Sequence, residues 1–194
     1  IMSEALWDVD NLSNVISYNK DPMEAFHKLQ NQYGGGSIAV NIFGGGTANT
    51  EFEMLTGYNV KNLKGGTIAY TEYFEREQPS LVSYVEDLGY RTIAVHPYEE
   101  DFYDRDVAYE KLGFDEFVGM DDMKYTDKYD AYISDDSLTK EIISRYEEYD
   151  KEGDEPFFCF SVSMANHGTN MLNNSELEDI QENNYFEKVI DVDY

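Results

Sequence analysis

The chain has 194 residues, 41% hydrophobic and 15% aromatic, enough apolar side chain for one sizeable core and too much for a disordered segment. Against 14 Lys+Arg stand 40 Asp+Glu, a formal charge of −26, and such a field repels nucleic acid and anionic membrane surfaces except where a bound cation reverses it. No run approaches the roughly 20 apolar residues of a membrane span, and the single Cys159 excludes an internal disulfide.

In chain order, Ile1 and Met2 read as the tail of an apolar strand whose beginning is missing, with Glu4 just beyond it. "EAFHKLQ" is a helix, and its His27 is structural or exposed. "SIAVNIF", ending at Phe43, is β-branched and apolar and predicts a buried strand. Three glycines then lead into "TANTEFEMLTG", a short helix with Phe52 and Leu55 inward and Gly57 as its stop. "PSLVSYVEDLG" predicts a second helix with Pro79 at its start and Leu81, Val82, Val85 and Leu88 on one apolar face. "RTIAV" is a strand and His96 ends it. Residues 120–132 are acidic and tyrosine-rich without periodicity, which reads as a surface excursion. "SLTKEIISRYEEYDKEG" is a helix facing inward through Leu138, Ile142, Ile143, Tyr146 and Tyr149. "PFFCFSVSM" is a further buried strand carrying Cys159 as a small core residue, and "ANHG" leaves it. The alternation predicts an α/β fold, a mostly parallel sheet flanked by helices.

Glu4, Thr47, His96 and His167 each follow an apolar run, and in open α/β sheets ligands bind beyond the carboxyl ends of the strands. The glycine turn lacks the lysine of a phosphate-binding P-loop and does not match the dinucleotide-binding glycine pattern. A hydroxyl at such a turn suits a nucleophile, which needs a base or a metal to activate it, and Glu4 could hold a divalent cation against Thr47. The plainer alternative is Thr47 as a helix N-cap. Arg105 follows His96 closely enough to reach a phosphate bidentately from the same rim.

In order and spacing, "IMSEALWD", "GGGTANTEFEMLTG", "VHPYEEDFYDRDVAYEKLGFDEF" and "PFFCFSVSMANHG" resemble the lipoteichoic acid synthase and phosphoglycerol transferase family, part of the alkaline-phosphatase-like, sulfatase-type superfamily. The resemblance implies an extracellular catalytic domain tethered to the cell membrane by preceding helices. It implies manganese, or another divalent cation, held by Glu4 and by the nucleophile Thr47. Thr47 would attack the phosphodiester of phosphatidylglycerol, release diacylglycerol, and pass the covalently held glycerophosphate to an acceptor hydroxyl. His96, Arg105 and His167 would bind the head group, and Tyr103 stands where some relatives carry tryptophan.

The family completes its metal site with an Asp-His pair downstream of "NHG", and no Asp-His dipeptide occurs here. Residues 1–194 are therefore expected to be a partial sulfatase-like catalytic domain, truncated at both ends, inactive by itself and prone to dimerise through an exposed sheet edge. Sulfatases proper fit poorly, because Cys159 lies in no C-x-P-x-R context. Phosphoethanolamine transferase or another sulfatase-superfamily hydrolase, or a non-catalytic module binding glycerophosphate polymer, are the alternatives.

Overall fold

A computed structural model describes residues 1–6, 8–12, 20–42 and 45–168. They fall into two compact units: Ile1–Glu4 with Ala39–His167, and the described residues of Ala5–Ile38 with Gly168.

The first unit is built on a parallel sheet. Strand β1 (Arg91–Val95) is central, pairing in parallel with β2 (Glu116–Val118) on one side and β5 (Phe157–Ser161) on the other. Met2 adds a parallel bridge to Val162, with its N–H on Ser161 O at 2.7 Å and its carbonyl accepting from Ser163 N at 2.9 Å. That bridge sets Glu4 beside the end of β5. Both sheet faces are covered, which is why these strands read as continuous apolar runs. On one face Ala94, Phe117, Phe158 and Phe160 meet the helices α2 (Thr47–Thr56), α3 (Ala69–Tyr73), α4 (Leu81–Asp87) and α5 (Arg105–Leu112) through Ala48, Phe52, Leu55, Val82, Ala108 and Leu112. On the other, Ile93, Val95, Phe157 and Cys159 meet Leu138 and Ile142 of α6 (Asp135–Glu152). Asn49 ties α2 to the start of α3, accepting from Ala69 N at 2.7 Å and donating to Thr67 O at 2.8 Å.

Helix α2 starts after Gly45 and Gly46, both at positive φ, and ends at Gly57 in the left-handed conformation, as the glycines predict. Helix α4 opens with a capping box: Ser80 Oγ accepts from Ser83 N at 3.0 Å, and Ser83 Oγ accepts from Ser80 N at 3.1 Å. Pro79 therefore lies just outside the cap rather than in the first turn.

Three expectations are corrected. No strand forms over the described residues of "SIAVNIF"; Ile38 is 87% exposed and Val40 45%, and Phe43 lies outside the described residues. β-propensity expresses how well a side chain fits a half-buried pleated surface, and no strand among the described residues supplies one here. The inward faces of two helices are narrower than their apolar spacing suggested: only Val82 of α4 is buried, and Ile143 and Tyr146 of α6 are half exposed. The inner side of α6 instead buries Ser137 and Glu141, whose carboxylate accepts from Lys124 N and Arg145 Nε. The stretch read as a surface excursion contains buried Met123 and most of a hairpin, β3 (Lys128–Tyr129) with β4 (Tyr132–Ile133). Its hydrophobic anchors, Met123 and Ile133, are too far apart to make a period.

In the second unit, α1 (Glu24–Tyr33) buries none of its residues. His27 there faces carboxylates: Nδ1 is 2.8 Å from Asp21, and Nε2 is 3.2 Å from Asp8 and 3.6 Å from Asp10.

Candidate active site

Thr47 is the first residue of α2, and Gly46 takes the N-cap position without any side-chain cap. The Thr47 hydroxyl, relieved of capping, donates toward Glu4, at 2.9 Å from Oε2 and 3.1 Å from Oε1. Glu4 is held in turn by its own N–H, which donates to Ser163 Oγ at 3.1 Å. The segment after β5 thus positions the carboxylate, and the glycine turn positions the hydroxyl.

That same segment fixes His96. Val162 O lies 3.0 Å from His96 Nδ1, and a carbonyl can only accept, so Nδ1 carries the proton. Nε2 is then the lone-pair nitrogen; it is buried with no partner among the described residues, and His96 is 1% exposed. Burial, and then the charge of Arg105, push its pKa down to about 3, so at neutral pH Nε2 can only accept a hydrogen bond. A ligand hydroxyl suits it, and a phosphate oxygen does not.

Arg105 opens α5 and is 1% exposed. Its Nε and Nη2 meet Glu51 Oε2 and Oε1 at 3.2 and 2.6 Å, and Nη1 donates to Phe102 O at 2.8 Å. The fork read as free for bidentate phosphate binding therefore faces a carboxylate, leaving two of five guanidinium N–H groups. Burial works against its charge, but Glu51 outweighs it and holds the pKa above the ordinary value. Tyr109 OH also donates to Glu51, at 2.8 Å, and burial followed by that carboxylate drives the phenol well above its usual pKa.

Tyr103 and Asp104 precede Arg105 with φ of 65° and 55°, a pair of left-handed non-glycine residues of the kind that clusters at functional sites. The Tyr103 ring centroid lies 5.3 Å from Arg105 Cζ and 4.4 Å from Phe102. Phe102 also meets His167 edge-on at 6.3 Å. His167 is joined by a residue of the hairpin, Tyr132, whose ring is 5.8 Å away and whose hydroxyl is 3.5 Å from Nδ1; Tyr132 also meets Tyr98, itself 6.4 Å from His96.

Two groups emerge: Glu4 with Thr47, and His96, Tyr103, Arg105 and His167 connected through Tyr98, Phe102 and Tyr132. They are linked by α2, which carries Thr47 and Glu51, and by Ser161–Ser163. Glu51, Tyr109, Tyr132 and Ser163 were not singled out from sequence. The first two had a signal, since Glu51 stands one helical turn after Thr47 and Tyr109 one turn after Arg105. Tyr132 had none.

The donor set at Glu4 and Thr47, a carboxylate and a hydroxyl, suits a hard divalent cation such as magnesium or manganese rather than a thiolate-seeking metal. In the second unit Asp8, Asp10 and His27 bring one ligand atom each within 4.8 Å of one another, a second group able to hold a cation.

The sulfatase family model matches residues 1–189. A Rhizobium meliloti protein assigned to cyclic beta-1,2-glucan modification is 39% identical over 168 residues, which are 87% of this chain and 25% of that protein. The phosphoglycerol transferase GacH of Streptococcus pyogenes, solved with sn-glycerol-1-phosphate, shares the fold with a TM-score of 0.73 at 24% identity, covering 97% of this chain and 56% of that one. The lipoteichoic acid synthase LtaP of Listeria monocytogenes gives 0.62 at 22% identity, covering 93% and 41%. The chain thus spans about a quarter of that curated relative and 56% and 41% of these two solved structures.

Proposed function

The chain belongs to the sulfatase family, and from that premise we propose that residues 1–194 are part of a sulfatase-like catalytic domain that transfers glycerophosphate from a phosphatidylglycerol-type donor to an acceptor hydroxyl. The observation that carries this reading is the Thr47 hydroxyl held at 2.9 Å from Glu4 instead of capping its own helix. In the first half-reaction Thr47 Oγ1 bonds to phosphorus and the phosphorus–oxygen bond to diacylglycerol breaks. The hydroxyl proton leaves by way of the Glu4 carboxylate and is returned to the diacylglycerol oxygen. An acceptor hydroxyl then attacks the same phosphorus, and Thr47 recovers a proton as it departs.

Manganese, or another divalent cation, bound by Glu4 and Thr47 would lower the hydroxyl pKa and draw charge from the phosphoryl oxygens. His96 accepts from a glycerol hydroxyl through Nε2, the two remaining N–H groups of Arg105 donate to phosphate, and Tyr103 and His167 wall the head group. The work of the donors is to meet charge as it develops on phosphorus-bound oxygen. The family resemblance that implies such a donor also implies an extracellular domain tethered to the cell membrane. No helix among the described residues is long and apolar enough to cross a membrane.

The name of the glucan-modifying relative favours a polysaccharide hydroxyl as acceptor over a growing glycerophosphate polymer. The test is calorimetric titration of sn-glycerol-1-phosphate into this chain with Mn2+ present. Saturable binding, weakened at least tenfold by His96→Ala and unmatched by phosphoethanolamine, is expected. Preference for phosphoethanolamine would favour a phosphoethanolamine transferase, and no binding of either would overturn the reading.

A further inference from the structure

We propose that Glu51 is a positioning residue for Arg105, aiming its guanidinium at the ligand phosphate from the same helix that carries Thr47; this rests on the function proposed above. Glu51 is fully buried and spends both carboxylate oxygens on the Nε–Nη2 edge of Arg105, with Tyr109 OH added on Oε2. Phe102 O holds Nη1. A guanidinium is planar, so fixing one edge and a third nitrogen fixes its plane and with it the directions of the remaining N–H groups. Residues four apart share a helix face, so Thr47 and Glu51 on α2, and Arg105 and Tyr109 on α5, form one clamp between two helices.

A purely stabilising role explains this poorly. Well-packed apolar residues do as well as a buried ion pair, or better, whereas a pair fixes geometry that they do not. The clamp also joins the backbone at its strained point, because Phe102 O belongs to the turn in which Tyr103 and Asp104 are left-handed. Pairing has a chemical consequence: Glu51 cancels most of the net charge of Arg105, so the arginine offers directed hydrogen bonds more than a long-range field. Ligand binding through it should depend little on salt.

The test titrates sn-glycerol-1-phosphate, with Mn2+ present, into this chain and its variants, with a melting curve for each. Glu51→Gln is expected to bind at least tenfold more weakly and to melt lower. Glu51→Asp restores the charge, so its melting temperature recovers toward wild type. It draws the guanidinium back by one methylene, so binding stays at least fivefold weaker. Should Glu51→Gln not fold, Tyr109→Phe removes one hydroxyl and is expected to weaken binding about threefold. Adding Glu51→Gln to Arg105→Ala should weaken binding no further than Arg105→Ala does. Wild-type affinity in Glu51→Asp and Tyr109→Phe, or affinity tracking melting temperature throughout, would overturn this inference alone. Absence of binding by the unmodified chain would overturn the proposed function and this inference with it.

Discussion

Thr47 Oγ1 sits between the two carboxylate oxygens of Glu4, 2.9 and 3.1 Å away. A hydroxyl has one proton to give and cannot satisfy both, so three oxygens stand close together with one hydrogen among them. Such a cluster is relieved by a hard cation. Mn2+ affinity of this chain, measured by calorimetry, is expected to fall at least tenfold in Glu4→Gln and in Thr47→Ala, and to survive in Thr47→Ser. Unchanged affinity in all three would make the contact a structural hydrogen bond only.

The neutral state of His96 gives a pH prediction. Its pKa of about 3 lies below the ordinary 6.5, because burial and then Arg105 oppose a second proton. The unfolded chain binds that proton as pH drops below 6.5 and the folded chain does not, so stability present above 6.5 drains away down to about pH 3. The full loss is on the order of 5 kcal/mol. In nitrogen NMR His96 should keep the signature of a neutral Nδ1–H ring down to pH 4. A midpoint near 6 would mean that Nε2 reaches solvent.

How much of this was legible depended on whether the signal was local. The glycines around α2 and the strand run before His96 act within a few residues, and their elements formed where expected. Apart from the family resemblance, the placement of Glu4 against Thr47 rests on both following apolar runs that suggest a shared sheet edge; for Thr47 that premise fails, since "SIAVNIF" forms no strand among its described residues, yet the two side chains meet. Glu51 escaped notice because a glutamate in an acidic chain of this kind is nearly always solvated. Its place one helical turn after Thr47 sets it on the nucleophile's face of α2, but its partner Arg105 is 54 positions away, and no local pattern encodes that pairing. Tyr132 is similar: one of many tyrosines in a stretch without periodicity, it is brought to His167 by a hairpin strand whose anchors are non-local.

Removing one member of the buried pair should cost far more than its solvent-exposed counterparts. Arg105→Met leaves the Glu51 carboxylate buried with only Tyr109 as donor, and a loss of about 3–5 kcal/mol is expected. Lys140→Met, which breaks an exposed pair with Asp136, should leave stability almost unchanged. Chemical denaturation of the two variants checks the contrast, and similar losses would mean that the Arg105 site relaxes or admits water. Replacing both partners, Glu51→Leu with Arg105→Met, should recover much of the stability while abolishing sn-glycerol-1-phosphate binding, since hydrophobic packing can replace the pair but not its donors.

The second unit supplies a pH response of opposite sign. The hydrogen bonds that His27 donates to Asp21 and then to Asp8 raise its pKa above 6.5. Asp21 is lowered, first by its hydrogen bond to His27. A raised histidine contributes stability that is complete below pH 6.5 and fades as pH climbs through the folded value. An NMR titration should therefore find the His27 midpoint above 6.5, and Asp21→Asn should bring it back toward 6.5. Because Nε2 faces both Asp8 and Asp10, Asp8→Asn alone should lower the midpoint less than Asp21→Asn does, with Asp10 still near the ring. A midpoint at or below 6.5 in the unmodified chain would show that these carboxylates do not hold the imidazole in solution.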